Sequence, residues 1–307
     1  MPSADGPDDL RRPHAVSGEA VVVDCANELG ETPIWDEAAG LLHWVDVFAG
    51  AVYSLDPSGD GVPRRFEHSA ELGALAPRAR GGLVLATGRA LVATDLDGGG
   101  AETLVAVEPD RPRNRFNDCR VDPAGRFFCG TKTNGDSGGS SGALHRIDAN
   151  LTASVAIADT ELANGIGWSP DGTTLYFIDS PLQRLDAYEF DPATGEVGGR
   201  RTVAEIDPDD GLPDGLAVDA EGGIWVALVR GGMVRRYEPD GRTSTEVRLP
   251  VANPTCPGFG GPDLRTLYVT SAHLRTDPRY ADDNPLAGAL FALDVGVPGV
   301  PSPPFAG

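Results

Sequence analysis

The apolar and polar positions of this chain follow one plan, written six times. Each unit has a short apolar strand, a polar turn ending near glycine, a strongly apolar strand and a third, alternating strand. The units are ETPIWDEAAGLLHWVDV with AVYSLDP, LGALAPRARGGLVLATG with LVATDL, NDCRVDPAGRFFCGTK with ALHRID, NGIGWSPDGTTLYFIDS with LDAYEFD, DGLAVDAEGGIWVALV with MVRRYEP, and CPGFGGPDLRTLYVTS with ALFALDV. Five of them are followed by a further strand: PRRFEH, ETLVAVE, ASVAIAD, RRTVAEI and STEVRLP. The period of two and the Val, Ile, Leu, Phe, Tyr and Thr content predict antiparallel strands, and the DG, PDG and AEGG steps predict tight turns.

Four-stranded units repeated radially predict an all-β fold, a six-bladed β-propeller. The sixth unit ends at ALFALDV without a fourth strand, while EAVVVDC, residues 19–25, belongs to no unit. This segment fits as the missing outer strand, so the N-terminal strand closes the ring and removes an exposed edge. The organisation expected is a flexible N-terminal tail over residues 1–15 and a single propeller domain over residues 16–307.

Superposing the units on Trp35, Val121, Trp168 and Val218 brings Glu31, Asn117, Asn164 and Asp214 to one strand-opening position, with Leu72 and Cys256 in the two remaining units. A polar residue before a strand is ordinarily turn chemistry. Four at the same register of a closed ring would converge on the axis, where carboxylates repel unless a cation lies between them. Carboxylate and amide oxygens suit a hard divalent ion, and few protein ligands leave positions for water and substrate.

Composition narrows the partners. The formal net charge of −21, from 25 basic and 46 acidic residues, argues against nucleic acid and anionic membranes. The four cysteines (Cys25, Cys119, Cys129, Cys256) are too few and too scattered for a disulfide scaffold or a thiolate zinc site. The start, MPSADGPDDLRRPHAV, has no apolar signal core, and no stretch approaches the ~20 apolar residues that span a membrane. The expectation is a cytoplasmic protein that works on a small molecule. Oligomeric state is not readable.

The same segments resemble the family of senescence marker protein (regucalcin), gluconolactonase and luciferin-regenerating enzyme. LGETPIWDEAAGLLHWVDV resembles the family's opening blade, NRFNDCRVDPAGRFFCGT, ANGIGWSPDGTTLYFIDS and GLPDGLAVDAEGGIWVAL its next three signatures, and GVPGVPSPPFAG its C-terminal tail. The resemblance implies a metal-dependent lactonase, hydrolysing a sugar-type lactone to the aldonic acid. It implies one divalent ion, calcium first, with magnesium, manganese, zinc or iron as alternatives, held by Glu31, Asn164 and Asp214. It places Arg115 and Asn117 against the substrate, and Asp214 becomes the candidate general base. The family's acidic pair after GT is replaced here by Asn134 and Gly135, with Asp136 or Lys132 as substitutes.

Two long loops, Lys132 to Gly142 and Ala272 to Gly288, are expected over the site as a substrate-selecting lid. Among five histidines without metal-ligand spacing, only His273 falls on that face. The competing readings are an organophosphate or ester hydrolase on the same propeller, and a non-enzymatic calcium-binding propeller.

Overall fold

Six antiparallel sheets stand around a central axis in the computed structural model, which describes residues 14–15, 19–68, 71–134, 141–275 and 277–307. Strands β1 (His14–Ala15) and β2 (Glu19–Val23) precede the first blade. Blade one is β3 (Gly30–Asp36), β4 (Leu41–Asp46), β5 (Ala51–Leu55) and β6 (Arg64–Glu67). Blade two is β7 (Leu72–Pro77), β8 (Leu83–Thr87), β9 (Ala90–Thr94) and β10 (Glu102–Ala106). Blade three is β11 (Asn114–Val121), β12 (Phe127–Thr133), β13 (Gly142–Ile147) and β14 (Ala153–Thr160). Blade four is β15 (Ala163–Trp168), β16 (Thr174–Asp179), β17 (Arg184–Phe190) and β18 (Val197–Glu205). Blade five is β19 (Leu212–Val218), β20 (Ile224–Val229), β21 (Met233–Tyr237) and β22 (Thr243–Arg248). Blade six contributes β23 (Pro254–Gly260), β24 (Thr266–Ser271) and β25 (Leu290–Asp294).

The ring closes as the repeats require. β2 pairs antiparallel with β25, Glu19 opposite Leu293, and completes blade six. His14 and Ala15, expected in a free tail, pair in parallel with Thr245 and Glu246 and give blade five a fifth strand.

The inner three strands of each blade are buried on both faces, as in β8 and β20, while outer strands such as β6 and β10 are largely exposed. That is why the inner strands read as nearly continuous apolar runs. Blades pack face to face through mixed clusters. Phe128 of blade three meets Trp168 and Phe190 of blade four edge-on at 5.3 and 5.8 Å. Such pairs contribute about 0.5–1.5 kcal/mol each beyond their buried area. Phe305, fully buried, anchors the C-terminal tail against Phe127.

Near the axis the blades approach backbone to backbone. A Cβ on Gly165 would lie 2.8 Å from the Asp214 carbonyl, and one on Gly215 would lie 2.5 Å from the Cys256 sulfur. Only glycine allows adjoining inner strands this close. All four cysteines are free thiols. No helix among the described residues is long and apolar enough to cross a membrane.

Candidate functional site

Every inner strand slips register against its neighbour at one level of the channel. The shifts fall between Glu31 and Ile34, Leu72 and Ala74, Phe116 and Cys119, Asn164 and Ile166, Pro213 and Leu216, and Pro254 and Pro257. Each residue that the superposed repeats bring to the strand-opening position lies in or beside its shift. A bulge breaks strict alternation and re-aims side chains, so this belt differs from the strands above and below it.

Blades one and four set the entry to the belt with the same device. The Asp46 carboxylate accepts from the N–H groups of Glu28 (2.9 Å) and Leu29 (3.2 Å), just before Glu31. The Asp179 carboxylate accepts from those of Glu161 (3.0 Å) and Leu162 (2.8 Å), just before Asn164. Thr32, directly after Glu31, holds φ at +52°. A β-branched residue is an outlier there, so the turn that aims Glu31 is strained.

A chain of hydrogen bonds then runs across three blades. Asn134 Nδ2 donates to Glu71 (3.0 Å), and Arg115 Nε donates to Asn134 Oδ1 (3.1 Å). Arg115 Nη1 donates to the Phe116 carbonyl (2.7 Å) and to Asn117 Oδ1 (3.2 Å). Asn117 Nδ2 donates to Asn164 Oδ1, and Asn164 Nδ2 donates to Ser180 Oγ (2.8 Å). Arg115, Asn117 and Asn164 are therefore held in one network, while Arg115 Nη2 makes no hydrogen bond among the described residues. Glu71 supplies from blade two a carboxylate 3.5 Å from Arg115 Nε, beside the position where Asn134 stands in blade three.

Three buried carboxylates lie close enough for their charges to act on one another. Burial, then Asp214 and Asp118, push the Glu31 carboxyl well above its usual range. Burial and then Asp118 push Asp214 up to about 8, with Lys132 opposing. Burial also raises Asp118, which Arg120 partly offsets. The N–H groups of Cys119 and Ile166 approach Asp118, yet neither of its oxygens closes a well-formed hydrogen bond. Asp118 escapes a reading by period two, since alternation turns it away from Asn117; the bulge between Phe116 and Cys119 is what brings it to the channel.

These residues fit a divalent cation. Buried carboxyls whose burial and mutual repulsion disfavour the charged form, one with both oxygens unbonded, are what a cation would relieve. Among the described residues no three His, Cys, Asp or Glu side chains form a metal cluster. An ion at the belt would draw on Glu31 and Asp214 together with the Asn164 amide oxygen, whose second lone pair its bond from Asn117 leaves available. An all-oxygen set of this kind suits a hard ion.

The surroundings differ in part from expectation. His273 is buried with Nδ1 3.0 Å from Glu28 Oε2. The segment after Ser271 is tied down: Asn253 Nδ2 donates to the Tyr280 carbonyl (2.6 Å), and Asp282 accepts from Ala252 N–H (2.6 Å). β12 runs on through Lys132 and Thr133, while residues 135–140 of the other loop, Asp136 among them, lie outside the described residues. A cavity of about 920 Å³ opens at the far end of the channel, between Trp35, Trp168, Val218 and Pro301 with Arg120 in its wall. None of Glu31, Asn164 and Asp214 lines it.

The family sequence profile described as the SMP-30/Gluconolactonase/LRE-like region matches residues 29–273. A 6-deoxy-6-sulfogluconolactonase of Pseudomonas putida is 39% identical over 289 residues, 93% of this chain and 98% of that protein. Regucalcin of Xenopus laevis is 37% identical over 292 residues, 93% of this chain and 97% of that protein. The crystal structure of a calcium-binding regucalcin from Agrobacterium tumefaciens superposes with a TM-score of 0.88 at 30% identity, covering 95% of this chain and 98% of that one. A matching profile over most of the chain, full-length relatives and a shared six-bladed architecture place this protein in the SMP-30, gluconolactonase and luciferin-regenerating enzyme family.

Proposed function

We propose that this chain is a divalent-metal-dependent lactonase that opens a sugar-type lactone to the aldonic acid. The observation that carries the reading is that Glu31, Asn164 and Asp214 each stand in or beside the slip of an inner strand at one level, with Arg115 and Asn117 on the hydrogen-bond network that reaches Asn164. A lactonase and a calcium-binding protein among the relatives support it. Glu31, Asn164 and Asp214 would hold the ion, calcium first. When bound, the ion supplies Lewis-acid polarisation of the lactone carbonyl and acidifies water.

The chain's own groups do the rest. Asp214 is the general base: a buried carboxyl poised near 8 before any cation relieves it becomes an ionised acceptor once charge-balanced, and it takes the proton of the attacking water. Arg115 donates to substrate oxygens through Nη2, with its plane set by Asn134 and Asn117. Asn117, fixed by the Ala163 carbonyl (3.0 Å) and Asn164, orients a second oxygen.

The test is a panel of aldonolactones, aryl esters and an organophosphate, run after chelation and after re-supply of single metals. Lactone turnover that vanishes on chelation and returns with a divalent ion is expected. Turnover of the organophosphate above every lactone would move the assignment to the ester-hydrolase reading. Metal binding without turnover of any substrate would favour the non-enzymatic one.

A further inference from the structure

We propose that the lactone taken by this site carries a negative charge, a carboxylate, phosphate or sulfonate away from the scissile carbonyl, bound by Lys132 with Arg115. This rests on the lactonase reading. Lys132 and Arg115 are register partners on β12 and β11, so their side chains leave the same face of blade three. Lys132 is half-buried and, among the described residues, its side chain makes no hydrogen bond or ion pair. The charged groups facing it are Arg115, Asp214 and Glu71. Neither carboxylate comes to ion-pair distance of it. Glu71 lies with Arg115 Nε at 3.5 Å and accepts from Asn134, and Asp214 belongs to the belt. Burial and then the Arg115 charge pull the Lys132 ammonium down to about 8.

A part-buried ammonium next to a guanidinium, with no anion closed upon it, costs stability. A neutral polyol gives no return on that placement. An anionic substituent does, because it meets two donors, the ammonium and the free Arg115 Nη2, in a partly desolvated mouth where charge-assisted bonds are strongest. The reacting carbonyl would lie toward Asp214 and the charged group toward β12.

The experiment compares glucono-1,5-lactone with its 6-phospho counterpart and with a glucarolactone, using the full chain loaded with the metal that best restores turnover. The wild type should favour the anionic lactones in kcat/KM by about tenfold or more, and the preference should shrink as ionic strength rises. Lys132→Met should remove most of that preference, mainly through KM on the anionic lactones, and Lys132→Arg should keep most of it. The salt dependence of the wild type needs no variant, so the inference stays testable if Lys132→Met folds poorly. Turnover of the neutral lactone with no anionic preference overturns this inference alone, as does an equal loss on all lactones in Lys132→Met. Failure to turn over any lactone removes the lactonase reading and this inference with it.

Discussion

Asp214 and Glu31 are both carboxylates on the same axis, yet the roles proposed for them separate under substitution. Asp214→Asn keeps an oxygen ligand and loses the charge and the basicity. Turnover should fall by roughly 10²-fold or more, the scale of a lost acid–base group, and should stay low at saturating metal. Glu31→Gln should weaken the metal and recover much of its activity when metal is added in excess. Steady-state rates across a metal titration separate the two. Full rescue of Asp214→Asn by metal would make Asp214 a ligand only. At this scale the repeats bring Glu31, Asn117, Asn164 and Asp214 to one strand-opening position, and each stands in or beside the slip of its inner strand. Asp118 and Glu71 were not legible. Asp118 reaches the channel only through a bulge that breaks alternation, and Glu71 meets Arg115 from another blade, where no spacing along the chain signals it.

Among elements, β2 bears on the fold most directly. It supplies the outer strand of blade six, and β25 would be left an open edge without it. Removing residues 1–14 takes away one partner of the short β1–β22 bridge, so solubility and a cooperative melt should survive. Removing residues 1–25 should give insoluble protein. A soluble 26–307 chain with a cooperative thermal transition would show that closure does not depend on β2. The missing fourth strand of the last repeat made this pairing readable from the sequence. The addition of β1 to blade five was not readable, since two residues pairing in parallel leave no periodic signature.

For the whole molecule, the propeller was legible because one pattern recurs six times and each copy agrees with its neighbours. The far cavity was not, since Trp35, Trp168, Val218 and Pro301 come together only once the ring has closed. The net charge of −21 also acts at this scale, favouring the approach of cations over that of anions. One divalent cation is proposed on the axis between Glu31, Asn164 and Asp214. Burial holds Glu31 above its usual range and Asp214 near 8, so at neutral pH a cation must displace the proton on Asp214. Binding should therefore strengthen as pH rises toward 8 and weaken by up to about tenfold per pH unit below it. The direct measurement is a calorimetric titration of Ca²⁺ into the chelated full-length chain at pH 6.5 and 7.5, for the wild type and for the Glu31→Gln, Asp214→Asn double variant. One site per chain is expected in the wild type, several-fold tighter at the higher pH, and no site in the variant. A cation site that survives both substitutions, or that binds equally well at both pH values, would contradict this placement.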